Sequence, residues 1–194
     1  MDDLDLNKSI KIFKKNGDRL SFEKIYRHFM PKIYRFVFLK IRDKYMTEDI
    51  TSEIFIKVFK NLKATNLNAE TLQIWIYKIS KNVLIDFYRY KSRQPEEVLI
   101  DDFEHNDNLQ NVIKNKFIVE NQFDDKELNF ENPDLIEALS KLSEIQQEII
   151  TLRYVEDLNY SAIGKILNKN ETAVRVLKLR ALINLKHRLE KKNG

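Results

Sequence analysis

The chain has 194 residues, 43% of them apolar and 33% charged, with 34 Lys and Arg against 30 Asp and Glu for a net charge of +4. That is enough apolar material for a packed core, and the length suits one domain or two small ones. Cysteine is absent and glycine occurs three times, which excludes disulfides, thiolate metal sites, thiol nucleophiles and glycine-rich phosphate loops. His28, His105 and His187 lie far apart, so no histidine metal site is expected.

The charge is unevenly distributed. Residues 1–94 carry 20 basic and 11 acidic side chains, residues 95–134 carry 3 and 12, and residues 135–194 carry 11 and 7. Two basic segments flanking an acidic one predict two small domains and a linker. The opening Met1-Asp2-Asp3-Leu4-Asp5 is too acidic for a secretory signal, and no run of about 18 apolar residues spans a bilayer. The expectation is a cytoplasmic protein without membrane insertion.

The elements in residues 1–94 read as helices. Phe22, Ile25, Tyr26, Phe29, Ile33, Phe36 and Val37 recur at helical spacing, with Pro31 expected to kink or restart the helix. Thr47 is expected to cap a second helix, placing Glu48 and Asp49 in its first turn. Its apolar residues are Ile50, Ile54, Phe55, Val58, Phe59 and Leu62. Ala64 to Ala69 reads as a loop with turn-forming Asn66 and Asn68. A third helix is predicted from Thr71 to Arg93, with Leu72, Trp75, Ile76, Ile79, Val83, Phe87 and Tyr90 inward.

That helix interleaves aromatic and basic residues, as unpaired nucleic acid requires: rings for bases and cations for phosphates. The ring stripe fits a core role better than a stacking platform. Lys78, Lys81, Asn82 and Arg89 are therefore the candidate contacts.

In the acidic segment, Leu109, Val112, Ile113 and Phe117 predict one short helix, and the rest reads as irregular. Asn132-Pro133 marks a helix start, and that helix carries Leu135, Ile136, Leu139 and Leu142. Ser143 and Gln146 form a capping box for a helix running to Tyr154. Nothing alternates as a strand, so the fold class is all-α.

The last segment holds the most specific pattern. Ile163, Gly164 and Leu167 predict a short helix, Asn168-Lys169-Asn170 a turn, and Glu171–Ala181 a second helix. Gly164 is expected to let the helices approach closely, and Asn168 to take the left-handed turn position. Val174 and Leu177 then face the first helix. Asn170, Glu171, Thr172, Arg175, Val176 and Leu179 are left outward, the arrangement of a DNA-reading helix-turn-helix. Nine Lys and Arg between Lys165 and Lys192 suit a phosphate backbone. An ordinary helical hairpin with a solvated basic face gives the same pattern. Lys169 also departs from the apolar residue common just after the turn.

Together these residues resemble a bacterial RNA polymerase sigma factor of the sigma-70 family, in its extracytoplasmic-function (ECF) group. Thr47-Glu48-Asp49-Ile50-Thr51-Ser52-Glu53-Ile54-Phe55 is similar to the family's polymerase-binding helix, with Ser52 where Gln is usual. Trp75-Ile76-Tyr77-Lys78-Ile79-Ser80-Lys81-Asn82 is similar to its tryptophan-led melting segment. Leu139–Leu142, Glu148–Tyr154, Val174–Leu177 and Arg180-Ala181 look like its second domain. The likeness spans about 18–93 and 134–190; residues 1–17 match nothing.

The resemblance implies a transcription initiation factor that directs core RNA polymerase to promoter DNA. Asp49 and Glu53 would contact polymerase. The loop Ala64–Leu72, with Asn82, would capture an unpaired base of the downstream (−10) element and help melt it. The second domain would read the upstream (−35) element. An anti-sigma protein is an expected partner; no cofactor and no catalytic residue are expected. The acidic segment would run along the polymerase channel. A one-component repressor is the alternative, and an enzyme using Glu23, Asp49, Glu53 or Asp86 is a third reading.

Overall fold

The computed structural model describes residues 3–93 and 133–190. Eight α-helices and one π-helical turn are found there, with no strand among the described residues. The described residues form two compact units.

The first unit contains α1 (Asp3–Asn16), α2 (Arg19–Ile41), α3 (Lys44–Leu62) and α4 (Ala69–Lys91). The sequence reading assigned no role to α1, yet Leu6, Ile10 and Phe13 are buried along it. Their 6, 10, 13 spacing is one helical face. Phe13 meets Phe22 of α2 and Phe59 of α3 at ring centroid distances of 5.2 and 5.4 Å, and Phe22 meets Phe59 at 4.8 Å. This aromatic triangle joins three helices. Of the three rings only Phe13 is fully buried, a burial worth roughly 1.5–3 kcal/mol.

Asp18 caps α2, accepting the Ser21 N–H at 2.7 Å. The helix continues through Pro31, which is buried within it rather than ending it. It stops at Arg42, whose left-handed backbone (φ 58°) returns its N–H to the Phe38 carbonyl at 2.9 Å.

The start of α3 corrects the expected cap. Asp43, not Thr47, accepts the first free N–H, from Met46 at 2.7 Å. Thr47 lies inside the helix, buried, its hydroxyl donating to the Asp43 carbonyl at 2.6 Å. Four residues of extra helix, Lys44 to Thr47, precede the expected start, because Asp43 is a stronger cap than Thr47.

The inward face of α4 also differs from expectation. Leu72, Ile76 and Val83 are buried as read, but Ile74, Tyr77, Ser80 and Leu84 complete the face. Trp75, Ile79 and Phe87 are only half-buried, and Tyr90 is exposed. Tyr77, not Trp75, is the core ring, edge-on to Phe36 at 5.3 Å. A helix lying against α1, α2 and α3 buries a broad arc, not a single stripe.

The second unit contains α5 (Pro133–Ser140), α6 (Glu144–Ile150), the π turn Thr151–Val155, α7 (Tyr160–Leu167) and α8 (Glu171–Glu190). Ser143 starts α6, its N–H donating to Gln146 Oε1 at 3.3 Å. Helix α8 packs on α5, α6 and α7. One apolar cluster joins Leu135, Ala138, Leu139, Leu142 and Ile150 to Ala181 and Leu185 of α8. That contact explains why α8 runs nine residues past the expected Ala181: its second half covers the first helix of the unit. The expected cap Asn132 and the expected helix at Leu109, Val112, Ile113 and Phe117 lie outside the described residues.

A candidate nucleic-acid interface and a docking face

The turn between α7 and α8 is built from three polar residues and one glycine. Asn159 caps α7 by accepting the Ala162 N–H at 2.8 Å. Asn168 takes the left-handed conformation as expected (φ 53°, ψ 46°), and the Lys169 N–H closes onto the Gly164 carbonyl at 2.9 Å. A Cβ at Gly164 would lie 2.6 Å from the Lys169 carbonyl oxygen. The close approach that requires glycine is therefore to the turn backbone, not to the second helix as the sequence suggested. Val174 is fully buried and Leu177 half-buried, which fixes the roll of α8.

Asn170 Oδ1 accepts the Ala173 N–H at 2.7 Å and so caps α8. Its side-chain oxygen is committed to the helix, which leaves its amide nitrogen for other contacts. Glu171, Thr172, Arg175, Val176 and Leu179 are all exposed, as the spacing predicted. Thr172, Arg175, Val176 and Leu179 follow at 0, 3, 4 and 7 positions and share one face. Exposed Ile183, which the sequence reading passed over, extends that face by a turn.

Arg175 is not a loose side chain. Its guanidinium pairs with Glu171 at 2.5 Å and lies over the ring of Tyr160, 4.1 Å from the centroid. Arg153 and Lys178 approach the same ring at 5.6 and 5.9 Å. The hydrogen bond from Lys178, aided by the two nearby positive charges, holds the Tyr160 phenol below its ordinary pKa. Sequence reasoning missed Tyr160, since no periodic pattern links residue 160 to residue 175.

On α4, Trp75, Lys78, Asn82 and Arg89 share the outward face by their spacing. Lys78, Asn82 and Arg89 are exposed, and half-buried Lys81 sits at the edge of that face. Arg89 is 3.9 Å from Asp86. The partial exposure of Trp75 puts one ring beside these polar groups.

On α3, Asp49 and Glu53 are exposed one turn apart, with Glu53 paired to Lys57 at 2.8 Å. Exposed Tyr45, Met46 and Ile56 flank them on the same face. These apolar residues were missed because they fall outside the inward pattern. An acidic pair framed by exposed apolar side chains is the composition of a protein-docking face. The carboxylates of the enzyme reading do not converge: Glu23 pairs with Arg27, Glu53 with Lys57 and Asp86 with Arg89. Among the described residues no three His, Asp or Glu gather to hold a metal. No described helix is long and apolar enough to cross a membrane.

A helix-turn-helix with an exposed outer face on its second helix, on a chain with a separate helical unit, is an arrangement found among DNA-directed regulators. Two family models match in order: sigma-70 region 2 over residues 25–94 and sigma-70 region 4 over residues 134–185. The chain belongs to the sigma-70 family of RNA polymerase sigma factors. Among curated relatives, the ECF sigma factor SigM of Bacillus subtilis is 26% identical over 167 residues, covering 86% of this chain and 94% of SigM. The ECF sigma factor BldN of Streptomyces coelicolor is 24% identical over 170 residues, 87% of this chain but only 60% of BldN. Among solved structures, CnrH in complex with the cytosolic domain of CnrY has a TM-score of 0.65 at 13% identity, covering 96% of this chain and 98% of CnrH. RpoE in complex with the anti-sigma factor NepR, from Bartonella quintana, has a TM-score of 0.62 at 18% identity, covering 87% and 96%.

Proposed function

We propose that this chain binds core RNA polymerase and directs it to promoters through two DNA contacts. Residues 1–94 form the domain that docks on polymerase through the α3 face of Asp49 and Glu53. The same domain captures an unpaired base of the downstream element with the loop 64–72 and Asn82, supported by Lys78, Lys81 and Arg89. Residues 135–194 read the upstream element with Asn170, Glu171, Thr172, Arg175, Val176 and Leu179. Residues 95–134 serve as the acidic tether. As a random coil, 40 residues span about 35 Å, and about 135 Å fully extended. Elements some twenty base pairs apart lie about 70 Å from each other along the duplex, so the tether is stretched in the working complex. An anti-sigma protein is a fitting partner, since CnrH and RpoE were each solved with a bound partner.

The observation that carries this reading is the order of the two sigma-70 regions in one chain, together with the outward reading face on α8. Reconstitution with core polymerase tests it. The expected result is promoter-dependent transcription with the chain and none without it. Tight binding to duplex operator by the free chain, with no effect on polymerase, would instead identify a one-component regulator.

A further inference from the structure

A cavity of about 710 Å³ opens between α1 and the segment that joins α3 to α4. Lys11, Lys14, Lys15 and Lys63 line it, with Asn66 and Asn68 opposite α1, and no carboxylate is among its lining residues. Four lysines lining one cavity with no carboxylate among its lining residues make it a site of positive potential, which favours an anion. No aromatic ring lines it either. The chemistry is therefore that of phosphate oxygens, not of a stacked base.

The cavity is built by well-anchored elements. Leu6, Ile10 and Phe13 hold α1 down, and Asn7 Oδ1 accepts the Ala69 N–H at 2.8 Å, tying α1 to the first turn of α4. Asn68 caps that turn by accepting the Thr71 N–H at 2.9 Å, so the positive end of a 23-residue helix adds to the field. Gly17, at φ +71°, makes room for Lys63: a Cβ there would lie under 3 Å from the Lys63 Cε and Nζ.

We propose that α1 and Lys63 form a phosphate-binding wall for the unpaired promoter strand, beside the base-capturing loop. This rests on the function proposed above and gives α1 a role that the region 2 match, starting at residue 25, does not cover. The phosphates could come from a DNA strand or from a free nucleotide; the wall beside the loop 64–72 commits the site to the strand.

The test uses holoenzyme reconstituted from core polymerase and the full chain. Its binding to a template with a pre-opened downstream bubble is measured across a KCl series. Lys11→Gln, Lys14→Gln and Lys15→Gln together should lower the slope of log K against log salt by about 2, at roughly 0.7 per lost single-strand phosphate contact. Affinity for the bubble should fall at least tenfold, with core binding unchanged. The corresponding Lys→Arg triple variant should keep the slope. An unchanged slope in the Gln variant overturns the wall while leaving the sigma-factor reading intact. Failure of the unaltered chain to bind core polymerase overturns that reading itself. Displacement of the bubble template by ATP, lost in the Gln variant, would assign the cavity to free nucleotide and overturn the strand assignment.

Discussion

The guanidinium of Arg175 lies over the face of the Tyr160 ring and reaches Glu171 one turn back on its own helix. On the proposed function, Arg175 is thus oriented before DNA arrives, which lowers the entropy cost of binding. Arg175→Ala should cost roughly 1–3 kcal/mol at an upstream element and relax preference at one base pair. Competition with single-base variants of the element checks this; unchanged preference would mean another residue reads that position.

Tyr160 should act through Arg175. Tyr160→Phe keeps the ring and should leave upstream-element affinity within twofold, whereas Tyr160→Ala removes a cation–π contact worth about 0.5–1 kcal/mol at an exposed site. The combined Tyr160→Ala, Arg175→Ala variant should lose less than the sum of the two single losses, the mark of coupled residues. Strict additivity in binding titrations would separate them.

Asp49 and Glu53 offer a second test. Reversing both charges should weaken competition for core polymerase. Thermal stability should change little, since exposed ion pairs such as Glu53–Lys57 contribute about 0–1 kcal/mol. Equal competition by the reversed protein would move docking to another face.

The turn itself can be probed by stability. Gly164→Ala forces a Cβ against the Lys169 carbonyl and should destabilise by about 1–3 kcal/mol. Asn168→Gly should be neutral or slightly stabilising, while Asn168→Ala should cost about 1 kcal/mol for the left-handed backbone. Urea midpoints of the three variants order them directly.

Acid sensitivity follows from Asp18. Hydrogen bonds from the side chain and backbone of Ser21 hold its carboxyl below the ordinary value of 3.8. A lowered folded-state pKa means stability is present above the unfolded value and lost as pH falls through the folded one. Asp18→Asn keeps a capping oxygen without the titration. Its stability should match the parent near neutrality and decline less below about pH 4, a region normal carboxylates share. Parallel acid-limb slopes in the two proteins would remove Asp18 from the account.

Much of the fold was legible where periodicity and caps agree. The helices around Ile25–Val37, Ile50–Leu62 and Leu135–Leu139 follow their apolar spacing, although Leu142, expected on the last of these, is buried just past its end at Ser140, and Asn168 announced the turn by its residue type. Helix α1 escaped because its three core residues are surrounded by polar ones and carry no motif. Trp75 was read inward because it shares a helical stripe with Ile79, Val83 and Phe87, while packing of α4 against three helices buries Tyr77 instead. Tyr160 and the wall of α1 lysines were invisible for a different reason: both arise from tertiary approach between segments that sequence spacing does not connect.

The π turn at Thr151–Val155 has a geometric effect on the reading unit. The Glu156 N–H bonds the Thr151 carbonyl five residues back, at 3.1 Å, so this turn holds one residue more than an α-helical turn. One residue is worth about 100° of rotation. The wide turn therefore sets the angular phase at which the chain leaves α6. It is this phase that brings Arg153 within 2.8 Å of Asp157 and to the Tyr160 ring. Removing a single residue from 151–155 would let an unbroken α-helix form, yet it would swing Arg153 away from that ring. The surroundings of the Tyr160 ring are in this sense indexed by the one extra residue of the turn that precedes α7.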